Sequence, residues 1–232
     1  VPEPERPDLY VELGRVRLAE LGDLAGSVDA YRRAVELDPS HDVAKGALEA
    51  MLDTELGLEA AVVLEPIYRQ FQDDAGLVRV LETRLGASVH PQERAALLAD
   101  LVDLLEADEV GRAMSYAGVA LGVALAMREE GLAQVHALCD RLLLLADRGP
   151  GAGALAAELS ASLADAPVTS PGFVQVARRA AEAQAVAGRL DAAVALARRV
   201  LEAAPDDPDS DALLDRMLAE RGDAAGRLEA CE

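Results

Sequence analysis

The chain has 232 residues, of which 51% are hydrophobic but only 3% aromatic, and it contains no tryptophan. Its formal charge is −20, from 42 acidic against 22 basic residues, which excludes nucleic acid as a partner because phosphate backbones are held by Lys and Arg, and disfavours anionic membrane surfaces. Two cysteines, Cys139 and Cys231, make no disulfide framework. No apolar run reaches the roughly 18 residues of a spanning helix, so membrane insertion is not expected.

Alanine and leucine dominate, which favours helix because both lose little on entering one. Residues 1–7, with Pro2, Pro4 and Pro7 among charges, read as a linker or tail. Asp8 can cap a first helix over about 9–21, where Leu9, Leu13, Val16 and Leu21 recur at helical spacing. Gly22 breaks that helix, and Asp23 can cap a second ending near Asp38-Pro39. Residues 41–56 and 57–71 make a weaker hairpin. Further helices are expected near 75–86, 91–107, 110–127, 129–146, 152–164 and 172–187, followed by one ending before Pro205. Pro91 and Pro150 stand where helices begin. The strongest internal punctuation is Gly149-Pro150-Gly151 and the run from Ala166 to Pro171. About eleven helices result, with no convincing strand.

The segment Gly22-Asp23-Leu24-Ala25-Gly26-Ser27-Val28-Asp29-Ala30-Tyr31, continuing to Ala34 and Pro39, resembles the second half of a tetratricopeptide repeat. With Pro39 on that family's terminal proline, Gly22 takes the turn glycine, Ser27 and Ala34 the small positions, and Tyr31 the large aromatic. Leu18 and Arg15 stand where the family often has tyrosine and a small residue, so the first helix departs from the pattern. A second match places Gly188, Ala193 and Pro205 on the turn, small and proline positions, with Ala197 in place of the aromatic. A third begins at Gly222-Asp223-Ala224-Ala225-Gly226 and puts Cys231 where Tyr31 stands before the sequence ends at Glu232. This cut-off repeat reads either as a fragment of a longer array or as a shortened cap.

The resemblance implies an all-α fold: an α-solenoid, a right-handed superhelix of antiparallel hairpins. It divides the chain into a tail (1–7), an N-terminal array (8–148), a helix and Pro/Gly-rich junction (149–171) and C-terminal hairpins (172–232). It also implies that first helices of successive hairpins line a concave groove. One subclass of the family clamps a C-terminal carboxylate there with lysine and asparagine. The matching positions here are Glu12 and Val16, so that clamp is absent. Glu12 and Glu20 suit a basic peptide instead, while Arg178, Arg179 and Glu182 give the later hairpin a mixed face.

Signals of chemistry are weak. His41 and His90 adjoin Pro39-Ser40 and Pro91, where exposed turn residues are expected, and no acid–base–nucleophile set is evident. His136 and Cys139 share a helix face, but a zinc site needs further ligands, so Cys139 is expected to be a packing residue. The run Asp206-Asp207-Pro208-Asp209-Ser210-Asp211 alternates oxygens but lacks the central glycine and closing glutamate of a calcium loop. Gly118-x-x-x-Gly122 lies in the uncharged run 113–127 and reads as the most buried helix, with a dimer interface as the alternative.

The expectation is a non-catalytic scaffold or adaptor, without metal or cofactor, that binds a protein or peptide segment in its groove. The alternative is a sensor or regulatory arm of a larger protein whose chemistry lies elsewhere. Self-association is open, as is the choice between cytoplasm and periplasm.

Overall fold

The computed structural model describes residues 6–222, which form twelve α-helices and one 3₁₀ turn, with no strand among them. Helices pack chiefly on their neighbours in the chain, the arrangement of an α-solenoid. The chain divides into two compact units, Val1–Val89 and His90–Glu232.

The first unit holds α1 (Pro7–Ala19), α2 (Leu24–Leu37), α3 (Asp42–Glu49), α4 (Gly57–Phe71) and α5 (Asp74–Ala87). Between α1 and α2 the chain passes through Gly22 at φ +63°. Asp23 then accepts the Gly26 N–H at 2.9 Å, satisfying a donor that the first turn of α2 leaves open. The Asp23 carboxylate lies where a Cβ on residue 26 would be. Only glycine can stand there without displacing the cap.

The same device recurs fifty residues later, where Gln72 at φ +54° precedes Asp73, which accepts the Gly76 N–H at 2.9 Å. Both hairpins are then locked by an aromatic ring against a glycine. In α1/α2 the Tyr31 ring covers Gly14, leaving an added Cβ only 2.7 Å from Cε1. In α4/α5 the roles are exchanged, with Tyr68 on the first helix covering Gly76, 2.6 Å from the same construction. Close packing of this kind leaves no room for a methyl group. The small residue facing Tyr31 is therefore Gly14, one position before Arg15.

The second unit holds α6 (Pro91–Leu105), α7 (Val110–Ala126), a 3₁₀ turn (Arg128–Gly131), α8 (Leu132–Arg148), α9 (Gly151–Ser162), α10 (Phe173–Val186), α11 (Leu190–Ala203) and α12 (Pro208–Arg221). Helix α7, uncharged beyond Arg112, is its hub, packed on α6, α8 and α9 with Ala113, Met114, Ala117, Leu121 and Leu125 among its buried residues. On its far side Gly118 lies against the Glu158 side chain of α9. The α10/α11 hairpin has no tyrosine at its seam; Ala180, Ala181, Ala193 and Ala197 are all fully buried there. Phe173 closes the start of α10, fully buried beneath the Arg199 guanidinium at 5.0 Å.

Three expectations change. The described residues hold twelve α-helices, close to the eleven or so expected; the one not foreseen, α12, opens at Pro208 within the acidic run. The helix expected over 41–56 stops at Glu49 and gives way to turns, and the Leu52 carbonyl then packs against Gly57 so closely that no side chain fits. Pro7 opens α1 rather than closing the tail. The third repeat match, Cys231 included, lies beyond Gly222 and outside the described residues.

Candidate functional site: the faces of alternate helices

Alternate helices of the second unit carry a ladder of arginine–carboxylate pairs. Arg141 of α8 reaches back to α6, donating from Nη2 to Asp103 at 2.7 Å and Glu106 at 2.5 Å. Arg179 of α10 donates to Asp140 of α8 at 3.1 Å, and Arg216 of α12 donates to Glu182 of α10 at 2.8 Å. Each pair spans 34 to 39 residues of sequence. Helical register makes this possible, because Asp140 and Arg141 adjoin on α8, and Arg179 and Glu182 sit within one turn on α10. Each inner helix thus donates backwards and accepts forwards.

Burial works to lower the pKa of Arg141, but the hydrogen bonds and charges of Asp103 and Glu106 outweigh it and hold it above its ordinary value. Such pairs, with side chains 31–67% exposed, contribute about 0.2–1 kcal/mol each. They fix the positions of helices more than they stabilise the fold.

Arg178 serves a different contact. It pairs with Asp207 and donates to the Ser210 hydroxyl at 3.2 Å, while Asp207 caps α12 by accepting the Asp209 N–H at 3.2 Å. Burial tends to raise the pKa of Asp207, but those hydrogen bonds and the Arg178 charge carry it below the usual carboxylate range. The oxygens of Asp207 and Ser210 are thereby engaged in a helix start.

The sequence-predicted residues fall as follows. Arg178, Arg179 and Glu182 stand on one face of α10, as the helical spacing implies, and all three are engaged with neighbouring helices. On α1, Glu12 is exposed and paired with Arg15 at 3.0 Å, Val16 is half-buried, and Glu20 is exposed at the C-cap. Leu9 and Leu13, exposed on the same helix, give this end an apolar as well as acidic character.

The groups weighed for chemistry are dispersed. His41 caps α3, taking the Ala44 N–H on Nδ1 at 3.3 Å, with Asp8 3.1 Å from its Nε2. His90 is exposed before α6 and His136 is exposed on α8. Cys139 is fully buried, and burial pushes its thiol up to about 11, leaving it protonated and unreactive at neutral pH. Among the described residues no three His, Cys, Asp or Glu side chains gather as a metal site, and no helix is long and apolar enough to cross a membrane.

What sequence reasoning missed is a trough between α6 and α8. Ala95, Ala96 and Ala99 form one wall, Ala137 and Leu138 the other, and Ala120 of α7 lies at the bottom. The alanine positions 95, 96 and 99 on α6 and 137 on α8 were visible in the sequence, but which two helices they faced was not.

These features define a class, an all-helical protein of stacked hairpins with the character of a helical-repeat protein. No family model and no curated protein matches the sequence. Among solved structures the chain is similar to that of PilW, described as a widely conserved type IV pilus biogenesis factor. Identity is 15%, the match covers 97% of this chain and 90% of that one, and the TM-score is 0.37. The functional reading rests on this chain's own residues.

Proposed function

We propose that the chain is a tetratricopeptide-like scaffold without catalytic activity, which binds a segment of a protein partner on the faces of its first helices. The observation that carries this reading is the arginine ladder. It ties α6, α8, α10 and α12 into a face whose shape is set before any partner arrives. A preformed surface loses little entropy on binding. Its exposed small residues, with Gln92 of α6 and Gln134 of α8 beside them, suit a peptide laid across successive helices. With acids at almost twice the number of bases, a basic segment is the favoured guest.

Affinity capture from lysate of the source organism, comparing the native chain with Glu12→Arg/Glu20→Arg and with Arg179→Ala/Glu182→Ala, tests the reading. Partners held by the native chain and lost from either variant support it. An identical set on all three moves binding to the outer faces or to self-association. Any hydrolytic or transfer activity in the purified chain overturns the non-catalytic part.

A further inference from the structure

We infer that the trough between α6 and α8 is an anchor compartment for a partner segment carrying one bulky apolar side chain beside a lysine or arginine. This inference rests on the groove-binding reading above and names the chemistry of the guest.

The trough encloses about 360 Å³, near the lower end of the roughly 300–1,000 Å³ typical of ligand pockets. That volume accommodates a large side chain but not a whole helix. Its walls are methyl groups, and Met127, an adaptable side chain, completes the lining near the 3₁₀ turn. Both ends are bridged. At one, Gln92 of α6 reaches Glu130 at 3.4 Å. At the other, one turn beyond Ala99 and Leu138, Arg141 spans to Asp103 and Glu106. Gln92 and Asp103 stand 11 residues apart, roughly 16 Å along a helix, or about five residues of extended chain. The bridges therefore delimit a compartment along the face.

Charge decides the guest. Glu129 and Glu130 flank one end and Asp103 and Glu106 the other, four carboxylates against Arg128 and Arg141, and Arg141 already bonds both acids at its end. An incoming carboxylate meets an acidic rim, whereas a lysine or arginine finds Glu129 and Glu130 exposed. Gln134, exposed on the α8 wall, offers both a donor and an acceptor for the backbone of an extended guest.

The test uses displayed random peptides of about twelve residues, long enough to cross the trough, selected against the full chain. The enriched sequences are expected to share a bulky aliphatic or aromatic residue with Lys or Arg within a few positions. A synthetic winner is then titrated by fluorescence anisotropy. Ala99→Phe/Ala137→Phe, which fills the trough from two exposed positions, should weaken binding about tenfold or more, as loss of a central anchor does. Ala96→Phe serves the same end should the double variant lose its helical circular dichroism. Glu129→Gln/Glu130→Gln should weaken binding several-fold at low salt, and the difference should shrink as salt rises.

Absence of any enriched peptide overturns the inference, as does a winner that binds the filled variants unchanged. In that second case, loss of binding on Arg179→Ala/Glu182→Ala or Glu12→Arg/Glu20→Arg preserves groove binding while discarding the compartment. Indifference to every one of these changes discards both.

Discussion

The α1/α2 and α10/α11 hairpins share a turn glycine and a closing proline, yet they are held together by different means. In α1/α2 a single tyrosine is pressed into the gap above Gly14, and Ser27 folds its hydroxyl back onto the Leu24 carbonyl at 2.7 Å. In α10/α11 the seam is alanine against alanine, closed at one end by Arg199 over the Phe173 ring, while the ladder and Gln184, which donates to Ser160 at 2.9 Å, set α10 against α8, α9 and α12. One design concentrates its packing in one ring. The other spreads it over many methyl groups and sets the helix positions with long-range polar contacts.

The largest effect should come from breaking the concentrated design. Tyr31→Ala removes a buried ring from a gap that glycine cannot refill, and should cost about 3–5 kcal/mol, read from urea unfolding. A loss under about 1 kcal/mol would show that α1 and α2 are held elsewhere. The distributed design should fail in the opposite direction. Ala197→Leu inserts bulk where Ala180, Ala181 and Ala193 leave no space, for an expected loss of about 1–3 kcal/mol. A stabilising outcome would mean the alanine seam is loosely packed.

Next comes the cap shared by α2 and α5. Gly26→Ala displaces the Asp23 carboxylate from its own N-cap and should cost about 0.5–2 kcal/mol, whereas Gly46→Ala, where a Cβ meets nothing within 4 Å, should be neutral or mildly stabilising in the same helical context.

The smallest effect concerns acid. The pKa of Asp207 is depressed in the folded chain, so its contribution is fully present above the ordinary carboxylate range and is lost as pH falls through the depressed value. Asp207→Asn should therefore flatten the acid limb of the stability profile while leaving its slope near neutrality unchanged. A parallel shift of the whole profile would instead identify Asp207 as a capping oxygen whose charge is immaterial.

Much of this contrast was legible in the residues. The helix over 57–71 was bounded by its glycine and its aspartates, and the uncharged run after Arg112 announced α7 as a hub. Local signals carried those readings. The Asp-x-x-Gly cap at Asp73 went unread because Gln72 stands where Gly22 stood, and a non-glycine residue in the left-handed region leaves no compositional mark. α12 was missed because an acidic first turn looks the same in a loop and at a helix N-terminus. The site was harder still. Spacing placed Arg178, Arg179 and Glu182 on one face, but their partners lie 29 to 39 residues away, and no local pattern links an arginine to a carboxylate at that distance.

The ladder also bears on how such a chain can change length. Because α8 and α10 each carry a backward-reaching arginine and a forward-facing acid, copying or losing one two-helix segment changes a contact on both of its sides. The offset from acid to arginine differs between rungs, 34 residues from Glu182 to Arg216 and 39 from Asp140 to Arg179, so a tandem copy does not set each arginine on the acid it meets now. Growth by whole hairpins therefore calls for compensating changes at the joints.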